Sequence, residues 1–230
     1  MNENPSSESD PKKKVFLVDD HPMVREQLAR LIDEQPDLRV CGEAADLIEA
    51  LKGIEHHLPD IAIVDLNLRN SAGLDLIKDL KACGLEIPVL VLSMHDEKLY
   101  AERALRAGAM GYMSKQETTR SILTALRKIL EGCIHVSPEI ANDLVKGIVG
   151  GSHDPSTSPI TRLADRELQV FQLIGRGQGT RKIAESLGLS VKTIESYKAR
   201  IKEKLNLEDG VQLLQRAVQW VECYDDGKSR

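Results

Sequence analysis

Five side chains of the kinds that move phosphate or hold a cation stand at the ends of short apolar runs. Asp19 and Asp20 follow Val15-Phe16-Leu17-Val18, and Asp65 follows Ile61-Ala62-Ile63-Val64. Ser93 follows Val89-Leu90-Val91-Leu92, and Lys115 comes just after Gly111-Tyr112-Met113. If these runs are parallel strands of one sheet, all five groups meet at one edge. Three carboxylates in one place repel one another and favour a cation. Oxygen ligation suits Mg2+, which keeps several waters and binds phosphate oxygens. A carboxylate oxygen of Asp65 can attack a phosphoryl group there, with Lys115 and the metal neutralising its charge and Ser93 hydrogen-bonding a phosphoryl oxygen. A single Asp at a strand end is also an ordinary helix cap. Matching groups at four strand ends together favour the chemical reading.

A second constellation lies near the other end of the chain. Ser190 is a candidate N-cap, and Lys192-Thr193 open a helix reaching Leu205. At 100° per residue, Ile194, Ile201 and Leu205 share an inner face. Lys192, Ser196, Ala199 and Glu203 point the other way. Thr193, Tyr197, Arg200 and Lys204 form one edge, and Glu195, Lys198 and Lys202 the other. A face of small and polar groups flanked by donors suits a helix in a DNA major groove, with its edges on the phosphates. A short helical pattern, Arg181 to Leu187, precedes it across Gly188, which is the spacing of a helix-turn-helix.

Positioning these groups requires particular elements. Three of the apolar runs are unbroken β-rich tetrads, as expected for strands buried on both faces. Leu38 to Ala44 adds another strand. Helical spacing appears at Val24, Leu28, Leu31 and Ile32; at Leu74, Ile77 and Leu80; more weakly at Leu99, Ala104 and Leu105; and at Ile122, Leu126, Ile129 and Leu130. Alternating strands and helices predict an α/β fold, a five-stranded doubly wound parallel sheet whose chemistry sits at the carboxyl ends of its strands. The last third shows only helices, including a final one marked by Leu214, Ala217, Val218 and Val221. That helix is either a dimer seam or part of the domain's own core. The expected boundaries are a disordered tail at 1–12, an α/β domain at 13–135, a linker with a short helix at 136–159, and a small all-α helix-turn-helix domain at 160–224. The linker rests on Lys146 to Pro159, where Gly, Ser, Pro and Thr dominate.

Composition narrows the function classes. With 41% hydrophobic and 29% charged residues, the 230-residue chain reads as globular, and 3% aromatics leave the core to Leu, Ile, Val and Ala. No apolar run approaches the roughly 18 residues that span a bilayer. The polar start lacks a secretory signal, so the expectation is a cytoplasmic protein without a membrane partner. The scattered cysteines, Cys41, Cys83, Cys133 and Cys223, form no CxxC pair and argue against zinc or a disulfide framework. A net charge of −5 hides a basic stripe: residues 181–204 carry seven Lys and Arg against three Glu. Only part of the chain is therefore expected to meet nucleic acid.

Around Val15 to Pro22, Ile63 to Leu66, Val91 to Ser93 and Gly111 to Lys115, the chain resembles the flavodoxin-like receiver domains of bacterial two-component response regulators, over roughly residues 13 to 135. The resemblance implies that Asp65 accepts phosphate from a sensor histidine kinase. It also implies that Asp19, Asp20, Asp65 and the backbone carbonyl of Asn67 hold Mg2+, with Ser93 as switch hydroxyl, Tyr112 as switch aromatic and Lys115 as phosphate-binding lysine. Around Leu163 to Glu167, Ile183 to Leu187 and Ser190 to Leu205, the chain resembles the LuxR/FixJ-type DNA-binding domain. By that likeness Lys192, Glu195, Ser196 and Ala199 face bases, and Thr193, Lys198, Arg200, Lys202 and Lys204 mainly touch phosphates. Together the two resemblances imply a NarL/FixJ-type transcription factor, a homodimer when phosphorylated or DNA-bound, and not an enzyme beyond slow self-dephosphorylation.

There are departures from the family patterns. Arg69 replaces the usual proline four residues after the acceptor, Gln116 follows Lys115 where many receivers have proline, Gly179 replaces a usual Ser, and Tyr197 a usual His. Two rival readings remain. Asp65-Leu66-Asn67 resembles the DxD element of aspartate-nucleophile phosphohydrolases, although Asn67 cannot transfer the proton that the second Asp does. A phosphorylation-independent orphan DNA-binding regulator is the other. His56-His57 reads as a solvated turn. His21 either approaches the acidic pocket or simply caps a helix.

Overall fold

The computed structural model describes residues 11–68, 71–94, 96–149 and 159–226. The tail expected at 1–12 lies outside them except for its last two residues, as do Arg69 and residues 150–158 of the expected linker. Two compact units are present, one made chiefly of residues up to Leu144 and one chiefly of residues from Val145 on.

In the first unit, strands β1 (Lys13–Val18), β2 (Leu38–Ala44), β3 (Ile61–Val64), β6 (Val89–Ser93) and β7 (Gly111–Ser114) form one sheet in the order β2-β1-β3-β6-β7. Every neighbouring pair is parallel. A two-residue ladder, β4 (Asn67–Leu68) with β5 (Ser71–Ala72), follows β3. The central tetrads are buried on both faces, whereas edge strand β2 is half-buried along its middle and exposed at Arg39 and Glu43. Parallel strands need crossovers, and helices supply them: α1 (Pro22–Asp33), α2 (Leu47–His57), α3 (Gly73–Ala82), α4 (Glu97–Ala107) and α5 (Thr119–Leu130). Leu28 and Ile32 of α1 and Ile122, Leu126 and Ile129 of α5 join Val15, Leu17, Ile63, Leu90 and Leu92 in one hydrophobic cluster.

Helix α4 departs from its expected face. Tyr100, Ala101, Ala104 and Ala107 are buried, while Leu99 and Leu105 are only half-buried. Small residues let this helix lie close to its neighbours, a preference that leucine spacing does not reveal.

Helix α6 (Pro138–Val149) starts inside the first unit, which reaches Leu144. Its entry is stitched to the sheet: the Tyr112 amide donates to the His135 carbonyl at 2.9 Å, and the His135 amide to the Met110 carbonyl at 2.9 Å. The Ser137 amide donates to the Glu97 carboxylate at 3.0 Å, and Ile140 is buried.

The second unit contains helices α7 (Asp165–Gly175), α8 (Thr180–Leu187), α9 (Val191–Leu205) and α10 (Gly210–Asp226). Gly188 takes the left-handed conformation, φ 63°, that turns α8 into α9. Ile183, Ala184, Ile194 and Ile201 are buried, as are Leu168 and Phe171 of α7, which packs against α8 and α9. In α10 the inward residues are Leu213 and Ala217, with Leu214 exposed. Of the four residues expected on one face, Leu214 therefore lies at the exposed edge, because the core stripe starts one residue earlier.

Candidate functional site

The sheet order reverses direction between β1 and β3, the switch point where ligands of such sheets bind. Strand register brings the expected groups together there. Val18 lies opposite Val64, and the Asp65 amide donates to the Val18 carbonyl at 2.8 Å, so Asp19 and Asp65 emerge side by side. Ser93 lies opposite Ser114, and the Lys115 amide donates to the Ser93 carbonyl at 2.9 Å.

Asp19, Asp65 and Ser93 are buried. The Lys115 ammonium donates to Asp19 Oδ2 at 2.5 Å and to Asp65 Oδ2 at 2.7 Å. Burial pushes the Asp65 carboxyl above the ordinary carboxylate range, partly opposed by Lys115 and by a hydrogen bond from the Asn67 amide. Burial alone would lower the Lys115 ammonium, but the Asp65 and Asp19 carboxylates outweigh it and hold it above its usual value. Asp65 is 3% exposed, yet its Oδ1 has no hydrogen-bond partner among the described residues, and neither has Asp20 Oδ1. An orphaned buried carboxylate oxygen costs free energy unless something fills the gap. Three carboxylates against one ammonium leave an excess of two negative charges, the charge of one divalent cation. Ligand atoms of Asp19, Asp20, His21 and Asp65 lie within 4.8 Å of one another. This donor set fits a magnesium-sized ion.

The Ser93 hydroxyl hydrogen-bonds the Tyr112 phenol, and burial drives that phenol far above its usual pKa. Ser93 and Tyr112 are thus physically coupled at the strand end where the Ser93 carbonyl accepts from the Lys115 amide. Gln116, one of the departures, is exposed and takes no part in the pocket; its amide donates to Ser114 Oγ at 3.2 Å. Gly73, at the start of α3, was not visible as a site residue. A Cβ there would stand 2.1 Å from the Asp65 carbonyl oxygen.

In the second unit Ser190 caps α9, its hydroxyl accepting from the Thr193 amide at 3.1 Å. Lys192, Glu195, Ser196, Ala199 and Arg200 are exposed, and Thr193, Tyr197, Lys198 and Lys202 half-buried. Ser190, Lys192, Thr193, Ser196, Tyr197 and Arg200 line one concavity of 390 Å³, with Tyr197 joining the group although its type departs from the family pattern. Glu195 Oε1 accepts from Thr180 Oγ1 and from Lys198 Nζ, each at 2.9 Å, pinning the start of α8 to α9. The Lys198 hydrogen bond holds the Glu195 carboxyl below its usual range. Lys204 Nζ donates to the buried Glu167 carboxylate at 2.6 Å, and the same oxygen accepts from the Ala164 amide at 2.8 Å. Its charge is therefore engaged within the domain, an arrangement invisible in helical spacing because Glu167 lies 37 residues away.

Residues 15–127 match the family described as response regulator receiver domain, and residues 161–217 the family of bacterial regulatory proteins of the luxR type. The chain is similar to the oxygen regulatory protein NreC of Staphylococcus carnosus, with 32% identity over 89% of this chain and 96% of that protein. It is also similar to a putative transcriptional regulator of Pseudomonas aeruginosa, with 38% identity over 84% of this chain and 91% of that one. Among solved structures, RcsB of Salmonella enterica serovar Typhimurium, bound to promoter rprA in the presence of the phosphomimetic BeF3-, covers 89% of this chain and 98% of its own at TM-score 0.59 and 25% identity. Among the described residues no helix is long and apolar enough to cross a membrane. The chain belongs to the two-component response regulators of the NarL/FixJ type, transcription regulators that join a receiver domain to a LuxR-type DNA-binding domain.

Proposed function

We propose that Asp65 is the phosphoryl acceptor and that its phosphorylation controls DNA binding through α9. The observation that carries this reading is the divided Asp65 carboxylate. Lys115 holds Oδ2, while buried Oδ1 has no partner among the described residues. Oδ1 attacks the phosphorus of a phosphohistidine on the sensor kinase. The P–N bond breaks, the imidazole leaves and takes up a proton, and an acyl phosphate forms on Asp65. Lys115 neutralises charge on the transferred group. Asp19, Asp20, Asp65 and the Asn67 carbonyl are the residues that would hold Mg2+, which supplies further neutralisation of phosphoryl oxygens when bound.

Ser93 then turns its hydroxyl to a phosphoryl oxygen and gives up its bond to Tyr112. Release of Tyr112 alters the chain exit paired with it at His135. Asn67 cannot act as a general acid, which fits at most slow self-dephosphorylation rather than turnover of phosphate esters.

In the DNA-binding unit, Lys192, Glu195, Ser196 and Ala199 face bases, and Thr193, Lys198, Arg200 and Lys202 meet phosphates of double-stranded DNA. The engaged Lys204 serves the domain's own fold instead. The regulator acts in the cytoplasm as a homodimer when phosphorylated or DNA-bound, without a membrane partner.

The test incubates the protein with Mg2+ and acetyl phosphate, then reads intact mass and binding to an operator library. One added phosphate and altered DNA affinity are expected, both absent in Asp65→Asn. Persistent acid-labile label in Asp65→Asn refutes the assignment. Catalytic hydrolysis of ordinary phosphate esters favours the phosphohydrolase, and DNA binding indifferent to phosphorylation favours the orphan regulator.

A further inference from the structure

We infer that His21 is a nitrogen ligand of the acidic site and shifts its selectivity from magnesium toward first-row transition cations, nickel strongly and manganese least. The inference rests on the reading of Asp19, Asp20 and Asp65 as cation-holding residues and adds a donor of a different chemical class.

Local structure places the imidazole there. His21 is the N-cap of α1, with extended backbone (φ −96°, ψ 106°) and Pro22 starting the helix. Its side chain offers the helix no capping bond. Its amide instead donates to Asp19 Oδ1 at 2.8 Å, which folds the residue back over the carboxylates. His21 Nδ1 then lies 2.7 Å from Asp20 Oδ1 and 3.2 Å from Asp19 Oδ1.

The Asp20 contact is informative. Despite that short separation, Asp20 Oδ1 has no partner in hydrogen-bonding geometry among the described residues. Two atoms bound side by side to one ion, each about 2.1 Å from it and at right angles, stand about 3 Å apart. The spacings of Nδ1 from the two carboxylate oxygens, 2.7 and 3.2 Å, bracket that value. The orphaned Oδ1 of Asp65, in a residue 3% exposed, independently marks a missing positive partner in the same cluster. Nδ1 is hydrogen-bonded to Asp19 Oδ1. The His21 side chain is 63% exposed, so a bound cation can replace that hydrogen bond, with the ring proton carried on Nε2 in water.

Carboxylate and water ligands suit magnesium. An imidazole adds much more affinity for first-row transition ions, following the order in which manganese is weakest and nickel far stronger. A site of Asp19, Asp20, Asp65 and His21 therefore takes Mg2+ but discriminates against it when such ions are present.

The test is calorimetric titration of the full chain at one fixed pH with Mg2+, Mn2+ and Ni2+. A His56→Gln background removes one ring of the neighbouring surface pair, His56 and His57, whose rings lie 4.9 Å apart. Adding His21→Gln should lower nickel affinity about tenfold more than magnesium affinity, with a smaller differential for manganese. Nickel should also shift and broaden the His21 imidazole resonances. An unchanged nickel-to-magnesium ratio in His21→Gln, or imidazole signals untouched by nickel, overturns the inference. Asp20→Ala separates the two levels of argument. Loss of all three metals there, with the His21→Gln ratio unchanged, leaves the cation site standing and removes only His21. Absence of magnesium binding in the wild type overturns both.

Discussion

Replacing Lys204 with methionine separates two roles that a basic residue on α9 can have. In the structure its ammonium sits 2.6 Å from Glu167 Oε2. The Glu167 side chain is 4% exposed and that of Lys204 is 39% exposed. Removing one partner of a fully buried pair costs about 3–5 kcal/mol, because the remaining charge is stranded. Here solvent reaches the lysine end, and Glu167 keeps the Ala164 amide. Both facts reduce the cost, to roughly 1–2 kcal/mol. For a domain of this size that lowers the melting temperature by about 4–16 °C.

The assay is thermal unfolding followed by circular dichroism, combined with DNA binding at several salt concentrations. Because the charge is spent on Glu167, Lys204→Met should leave the salt slope unchanged. A phosphate contact would instead reduce that slope by about one unit. An unchanged melting temperature together with a reduced slope would refute the reasoning and return Lys204 to the DNA interface. The double variant Glu167→Gln/Lys204→Met should recover part of the lost stability, since no charge is then stranded.

Three further outcomes are expected. Gly73→Ala forces a Cβ against the Asp65 backbone, 2.1 Å from its carbonyl oxygen, and should cost about 1–3 kcal/mol in urea unfolding while slowing phosphorylation from acetyl phosphate; wild-type values for both would show that the α3 start yields freely. Arg127 grips Asp37 with two hydrogen bonds, at 2.7 and 2.8 Å, and that pairing holds the Asp37 carboxyl below its usual range. A depressed acid stabilises the fold above its unfolded pKa of about 3.9 and loses that contribution as pH falls through the folded value. Exposure keeps it under about 1 kcal/mol, so the urea midpoints of wild type and Arg127→Met should differ slightly at pH 7 and converge toward pH 3; a constant gap would contradict this. Lys202→Ala should weaken binding to all DNA sequences and reduce the salt slope by about one unit, whereas Ser196→Ala should change base preference by roughly 1–3 kcal/mol, both read on an operator panel. The Ser196 hydroxyl donates to the Lys192 carbonyl at 3.0 Å, leaving its lone pairs to accept from a base.

The strands and the acidic pocket were legible because they depend on local information. A buried parallel strand must be apolar on both faces, so Val15 to Val18, Ile61 to Val64 and Val89 to Leu92 declare themselves without partners. The groups after them then fall at one sheet edge for any right-handed, doubly wound connection. The inner face of α9 was legible for a similar reason: Ile194 and Ile201 repeat at helical spacing and are buried.

What needed the tertiary structure were pairings between residues distant in the chain and faces set by close packing. The covered stripes of α4 and α10 follow from what lies against them, so alanines outrank Leu99 and Leu105, and Leu213 replaces Leu214. The link of Lys204 to Glu167 joins two helices, and the clamp of Lys115 on Asp19 and Asp65 joins three strand ends. Only the folded backbone could show that Gly73 has no room for a side chain, or that His21 turns its ring toward the carboxylates rather than over the helix it caps. Periodicity records which side of an element is apolar; it does not record the distance or chemical identity of the group that side meets.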